Sequence, residues 1–385
     1  MAHLEHILYF DNNSTTTIDP RVLDAMLPFL KDNFANASST HHFGLQVNEA
    51  VKNARVQVAD LICAEHNEII FTSGSTEAIN IALKGVAENY SEKGNHIVTV
   101  STEHYAILGT CKHLEKNGFE VTYLKVNKEG IVDLNELKNS LRPDTILVCV
   151  MYVNNETGVI QPIKEISTLA HDVGALFMTD ATQAAGKIEI NVDALGIDLM
   201  CLSGHKIYAP KGIGALYVRQ SSKRVSLPTF IHGGGHEKGL RSGTLNVPGI
   251  VALGKACEIA KAELSQVEVT VGALRDELET ELLKIKGTFV NGDPRSRIFN
   301  TTNICFPGND ANVMIGRMKN LAVSNGSACT AAVIEPSHVL ISMGLSEDDA
   351  FASIRFSLGK FNKREEIVSV TKSINQLINN QSSHA

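Results

Sequence analysis

The sequence predicts an α/β fold, with a large domain built on a mainly parallel sheet and a smaller α+β domain, and three observations point to it. From about Asp11 to about Val218 short apolar runs alternate with longer amphipathic stretches, the pattern of β-α units whose helices cover a sheet. A Gly-rich, basic stretch over residues 233–246, GGGHEKGLRSGTLN, then breaks the alternation. At 385 residues, 43% of them hydrophobic, the chain also exceeds the length at which one core usually keeps growing, so two domains are expected. The division is placed at 12–250 for the large domain and 251–385 for the small one, with residues 1–11 packed on the latter.

Each element has a local reason. Asp19-Pro20 supplies an N-cap followed by a proline whose fixed φ suits the first helical turn. A second helix is expected after Gly44, where Val47, Val51, Ala54, Val58 and Leu61 recur at helical spacing. Strands are read from apolar runs at 68–72, 97–100, 121–126, 146–150, 175–179, 199–202 and 215–218. After the Gly-rich break comes a long helix over about 248–286, then strand 303–306, helix 311–319, strand 322–324, helix 336–343, strand 353–357 and a closing helix 364–378.

Net charge is −7 and no strongly basic block occurs, which argues against a surface dedicated to nucleic acid or to an anionic membrane. The seven cysteines are scattered, odd in number and without a C-x-x-C pair, so neither a disulfide framework nor a zinc site is suggested and no resident metal is expected. The start, MAHLEHILYFDNN, lacks a basic region followed by an apolar run, and no apolar stretch approaches the ~20 residues that span a bilayer. A reducing, cytoplasmic location is expected.

Candidate site residues gather at strand ends. FTSGSTEAIN places Ser73, Gly74, Ser75 and Thr76 between a short strand and a helix, a corner whose free N–H groups and hydroxyls suit phosphate, although an ordinary N-cap turn has the same appearance. STEHYAILGT puts His104 where an imidazole can stack on an aromatic cofactor or simply bond within a loop. YVNNETG supplies Asn154 and Asn155, as ligands or as turn residues. MTDATQAAG sets Asp180 at the end of an apolar strand, with Gln183 three residues on. A carboxylate there needs a partner, either the next turn or a cation such as a protonated ring nitrogen.

LSGHKIYAP offers Ser203 and His205 as phosphate or ring partners, with Lys206 after a buried strand, where desolvation can lower an amine's pKa and allow a Schiff base. SNGSACTAAVIEPSHVL carries Cys329 among Gly, Ser, Ala and Thr, a setting that favours an accessible thiol over a packed one, whereas the other six cysteines mostly sit in apolar runs. SIRFSLG places Arg355 in an apolar strand, where its guanidinium needs an anion: a structural acid or a substrate carboxylate. Open α/β sheets bind ligands at their carboxyl edge, and the candidates of the first domain all fall there.

Taken together, FTSGSTE, TEH, VNNETG, DATQ, SGHK, GGGHEKGLRSGT, NGSACT and SIRFSLG resemble, in this order, the NifS/IscS group of cysteine desulfurases, over nearly the whole chain. The resemblance implies a PLP-dependent aminotransferase-like fold (fold type I), pyridoxal 5'-phosphate as cofactor, and a homodimer with its sites near the subunit interface. By it, Lys206 forms the Schiff base, Asp180 pairs with the pyridine nitrogen, His104 stacks on the ring and Gln183 bonds the ring hydroxyl. Asn155 sits near the phenolic oxygen or the substrate carboxylate, and Ser75, Thr76, Ser203 and His205 hold the phosphate with Thr244 of the second subunit. Arg355 grips the carboxylate of L-cysteine. Cys329 takes the sulfur as a persulfide, passes it to an iron–sulfur scaffold or another acceptor protein, and transiently meets a nascent cluster. A selenocysteine lyase or another enzyme of the class-V family shares most of this set, and a sulfur-relay platform acting through partner binding is the reading from a different class. Ser14 and Ser75 stand where small residues such as Ala are usual in the group.

Overall fold

The computed structural model describes residues 7–220, 225–326 and 335–382. In chain order the first part runs β1 (Leu8–Tyr9), α1 (Pro20–Lys31), α2 (His42–Leu61), β2 (Ile69–Thr72), α3 (Ser75–Asn89), β3 (His96–Val100), α4 (Tyr105–Glu115), β4 (Glu120–Leu124), α5 (Leu134–Ser140), β5 (Thr145–Cys149), α6 (Ile163–Asp172), β6 (Leu176–Asp180), β7 (Leu199–Ser203) and β8 (Gly214–Val218). The second part runs α7 (Val247–Leu282), β9 (Phe289–Val290), β10 (Thr301–Cys305), α8 (Ala311–Arg317), β11 (Leu321–Ala322), α9 (His338–Ser342), α10 (Glu347–Phe351), β12 (Ser353–Ser357) and α11 (Arg364–Ser382).

Seven strands form the main sheet in the order β2-β8-β7-β6-β5-β3-β4. Pairing is parallel from β7 to β4, and only β8 runs antiparallel to its neighbours β2 and β7. Side chains alternate between the sheet's two faces, as the period of a strand requires. Phe71, Val98, Val148, Phe177 and Met200 enter one core with α2, α6 and the start of α7. Ile70, Ile97, Leu147, Met178 and Cys201 enter a second core with α3 and α4. Both faces are covered, so these strands read as continuous apolar runs and not as alternating ones.

A third core gathers Phe10, Ile304, Phe306, Ile354, Phe356 and the C-terminal half of α7. Its antiparallel sheet has the order β12-β10-β9, while β1 pairs in parallel with β11. The α7 helix contributes Ile250, Leu253 and Cys257 to the first core and Val271, Leu278 and Leu282 to the third, so the position 250/251 lies inside one continuous helix. The Gly-rich segment is tied to the main sheet: the buried Glu237 accepts from Phe71 N at 2.7 Å and pairs with Arg55 at 2.6 Å.

Sequence and structure differ mainly at short elements. The helix expected after Gly44 starts at His42, with the His41 side chain accepting from Gly44 N as its cap. Gly44 sits so close to the preceding turn that a Cβ would lie 2.5 Å from Ser39 O. The strand expected at 322–324 is only Leu321–Ala322 plus an isolated bridge from Ser324 to Arg355. The α10 helix, five residues capped by Ser346, carries too little periodicity to be read from sequence. Among the described residues no helix is long and apolar enough to cross a membrane.

Phe356, fully buried on β12, tests the third core. Phe356→Ala is expected to lower stability by about 3–5 kcal/mol, visible as an earlier thermal unfolding transition, and an unchanged transition would show that this core does not support the fold.

Candidate active site

A cavity of about 360 Å³ opens where the carboxyl ends of β3, β5, β6 and β7 meet the N-terminus of α3. Lys206 reaches it from a short 3-10 turn, Gly204–Lys206, directly after β7. Its Nζ donates to the backbone carbonyls of Asn13 and Ser14, each at 2.6 Å. Burial, aided by the Arg355 guanidinium, lowers the Lys206 pKa to about 8, against the opposing pull of Asp11 and Asp180. Neighbouring backbone fixes the turn: Thr16 N donates to His205 O, Asp19 N to Tyr208 O, and Tyr208 N to Thr16 Oγ1. This frame holds Tyr208 at φ +67°, a conformation a non-glycine residue keeps only where its surroundings impose it.

Asp180 closes β6 on the cavity wall. Its Oδ1 accepts from Thr182 N at 2.9 Å and from the Cys201 thiol at 3.2 Å, while Oδ2 has no hydrogen-bond donor among the described residues. His104 caps α4: Ala106 N donates to its Nδ1 at 3.1 Å, so the neutral ring carries its proton on Nε2. Burial pushes the His104 pKa down, which keeps that neutral form. Gln183 donates through Nε2 to Asn13 O, and Asn155 shares the wall. Asn154 is the turn residue of its pair, buried with Oδ1 accepting from Glu156 N and Thr157 N.

One end of the cavity lies at the first turn of α3. Ser75 and Thr76 line the cavity there, and the acidic neighbour Glu77 is neutralised by Arg241 at 2.8 Å. His205 also lines it, with Nδ1 3.2 Å from Thr15 Oγ1. Burial lowers the His205 pKa to about 4, helped by Lys206, so its ring is neutral at pH 7. Ser203 is buried behind this end, its Oγ 3.6 Å from where a Cβ on Gly74 would lie, and it is not on the cavity wall. Thr244 lies exposed on the Gly-rich segment, away from this cavity. Cys329 lies outside the described residues.

Arg355 projects from β12 to the same cavity. It pairs with Asp11 at 2.6 Å, donates to Ser14 Oγ at 2.7 Å and to Asn155 O at 2.9 Å, and its Nε is buried without a hydrogen-bond partner among the described residues. A structural acid therefore holds one edge of the guanidinium on the cavity wall.

Sequence reading overlooked several groups here. Asn13 is buried and bonds to Thr301, Asn155 and Asn300 as well as to Lys206 and Gln183. Lys187 is buried against Gln183, with which it shares the spacing of one helical turn. Glu103 and Glu156 are fully buried acids whose pKa values burial raises, that of Glu156 to about 7. His338 stands on the wall with its ring 4.7 Å from that of Tyr105. The usable signal was an ionisable residue beside an apolar strand end, as in TEH, NNETG and DATQAAGK. Among the described residues no group of three or more His, Cys, Asp or Glu is placed to hold a metal ion.

The profile of the family Aminotransferase class-V matches residues 8–370. Over 373 residues the chain is 48% identical to a protein from Dechloromonas aromatica (strain RCB) named cysteine desulfurase IscS, covering 96% of this chain and 92% of that one. A solved structure described as a NifS-like protein superposes with a TM-score of 0.91 and 37% identity, over 97% of this chain and 99% of the other. Another, described as SspA in complex with cysteine, gives a TM-score of 0.81 and 38% identity over 92% and 99%. The chain belongs to the class-V aminotransferase family. Within that family it stands in the cysteine desulfurase group.

The low basicity of Lys206 is open to a direct check in the cofactor-free protein. Acylation of Lys206 by an amine-directed reagent, followed by peptide mass spectrometry, is expected to show a pH midpoint near 8, well below that of surface lysines. A midpoint above about 10, the range of an exposed lysine, would rule out the effect of burial and Arg355.

Proposed function

We propose that this protein is a pyridoxal-phosphate-dependent cysteine desulfurase, converting L-cysteine to L-alanine while its sulfur passes to Cys329. One observation carries the reading: the Lys206 amine, of lowered basicity, and the Asp180 carboxylate face one cavity, and Gly326, the described residue preceding the Cys329 segment, lines it too. The residues fit pyridoxal phosphate by their chemistry, with an amine for its aldehyde, a free carboxylate oxygen for its ring nitrogen, a neutral imidazole for its face and a helix N-terminus for its phosphate.

When bound, the cofactor supplies an aldehyde for amines and a ring that accepts the electron pair released at the substrate α-carbon. Lys206 would hold it through its amine and would also move the α-proton, a task suited to a pKa near neutral pH. Asp180 would keep a proton on the ring nitrogen, Gln183 and Asn155 would address the ring oxygen, and His104 would cover the ring. Ser75, Thr76 and His205 would hold the phosphate from the cavity wall, with Ser203 buried behind them and Thr244 of the second subunit of a homodimer completing the set. Arg355 binds the substrate carboxylate. The Cys329 thiolate attacks the substrate sulfur, the carbon–sulfur bond breaks with its electron pair going to carbon, and protonation completes alanine. One cysteine and one enzyme thiol thus yield alanine and an enzyme persulfide, which passes its outer sulfur to an iron–sulfur scaffold or another acceptor protein. We place this chemistry in the cytoplasm, whose reducing conditions keep Cys329 a thiol. The same reading assigns cofactor binding to a large domain, 12–250, and the cysteine to a small one, 251–385.

Alanine and sulfide release from L-cysteine plus a reductant tests this. Wild type is expected to make both, Lys206→Ala and Cys329→Ala neither, and only the lysine variant is expected to lose the visible band of covalently held cofactor. A wild type that binds the cofactor yet releases no alanine would refute the activity.

Substitution of Arg355 by Lys removes the planar fork while keeping the charge. The KM for L-cysteine is expected to rise by about ten-fold or more, the scale of one charge-assisted hydrogen bond, with a smaller effect on kcat. Unchanged KM would show that Arg355 serves only Asp11.

A further inference from the structure

Lys187 is a buried cation to which the mechanism above gives no task. Its Nζ donates to Gln183 Oε1 at 2.8 Å. At the other end of that amide, Gln183 Nε2 donates at 2.8 Å to Asn13 O, the carbonyl that also receives Lys206 Nζ at 2.6 Å. A carboxamide presents donors on nitrogen and only acceptors on oxygen, so its two orientations are chemically distinct. Lys187 offers a donor to one end and Asn13 O offers only an acceptor to the other. Both are satisfied in a single orientation, with Oε1 turned to Lys187 and Nε2 turned away from it. Nε2 carries two hydrogens, of which Asn13 takes one, and Gln183 stands on the cavity wall.

We propose that Lys187 is a positioning residue: by holding Gln183 Oε1 it presents the Gln183 N–H to the cavity, so that Gln183 meets the ring oxygen of pyridoxal phosphate as a donor and favours its ionised form. This rests on the cofactor reading given above. Without Lys187 the Gln183 carbonyl is left buried with no donor, which weakens the orientation that presents its N–H, and a turned amide would offer Oε1 to the ring oxygen, which that oxygen can meet only when protonated. The charge on Lys187 is not required. Burial, with Lys206 and Arg355 adding to it, lowers its pKa to about 7, and the neutral amine still donates.

A donor to the ring oxygen competes with the proton that this oxygen shares with the nitrogen linking Lys206 to the cofactor, and so lowers the pH at which that proton leaves. The experiment is a pH titration of the visible absorption of the cofactor-loaded protein for wild type, Lys187→Met and Lys187→Gln, each repeated in a Gln183→Ala background, with cofactor content and thermal midpoint recorded. Lys187→Met is expected to raise the titration midpoint by about one pH unit, the scale of a lost charge-assisted hydrogen bond. Lys187→Gln, which restores an N–H donor without charge, is expected to return it most of the way, and neither change should move the midpoint once Gln183 is Ala. A shift that persists in the Gln183→Ala background, or a Lys187→Gln midpoint displaced as far as that of Lys187→Met, would overturn the proposal by assigning the effect to charge. If Lys187→Met fails to fold, Lys187→Ala takes its place: a midpoint raised by a similar amount supports the proposal, and an unchanged midpoint in either variant overturns it. Absence of a visible band in wild type would instead overturn the cofactor reading, and this inference with it.

Discussion

Asn13 is the residue on which the site's assembly depends. It belongs to the N-terminal segment, yet its backbone N–H donates to Ser357 Oγ, its Nδ2 to Thr301 Oγ1 and Asn155 O, and its Oδ1 accepts from Asn300. Its carbonyl meanwhile receives Gln183 and Lys206 from the main sheet. One buried side chain and its peptide groups thus tie β10 and β12 to the carboxyl ends of β6 and β7. A buried polar residue is tolerated only when its bonding capacity is filled, and here each bond also fixes the distance between two parts of the cavity wall. Deep burial at this point is what ties Lys206, Gln183 and Arg355 to a common frame, because Asp11 and Ser14, on either side of Asn13, hold the guanidinium.

The same burial sorts the charges. Desolvation lowers Lys206 to about 8, Lys187 to about 7 and His205 to about 4, and it raises Glu156 to about 7. Groups that can shed charge near neutral pH therefore tend to shed it, whereas Arg355 cannot, since a guanidinium stays protonated in proteins. On the Arg355 side of the cavity the guanidinium is paired with Asp11. On the α3 side the wall offers the hydroxyls of Ser75 and Thr76 beside a helix N-terminus, with His205 neutral. Lys206 keeps an intermediate basicity because burial and the Arg355 guanidinium lower it while Asp11 and Asp180 oppose them.

Much of this was legible in the sequence, for reasons that differ by residue. The seven strands of the main sheet fall within one or two residues of the apolar runs, because all but the half-exposed edge strand β4 are buried along their whole length. Asp180, His104 and Lys206 were visible because each is an ionisable group at or shortly after the end of such a run. Lys187 and Asn13 were not, since a lysine or asparagine in a turn is ordinarily solvated and only tertiary packing buries these two. For Arg355 the structural acid is present as Asp11 on one edge, while the rest of the side chain stands on the cavity wall. Asn154, next to the cavity residue Asn155, is used by the turn itself, a distinction that sequence spacing alone does not draw.

Glu156 shows how the turn and the cavity depend on each other. The backbone of its loop is set by Asn154 Oδ1, which accepts from Glu156 N and Thr157 N. So placed, the buried carboxyl accepts from Ser337 Oγ at 2.5 Å and lies so close to Gly326 that any side chain at position 326 would collide with it. Gly326 and Ser337 stand on opposite sides of the sequence that contains Cys329. Each abuts the same carboxyl, and Gly326 is itself on the cavity wall. The described residues on either side of the cysteine segment are thus set against one carboxyl group beside the cavity that holds Lys206, and the asparagine turn before that carboxyl positions it.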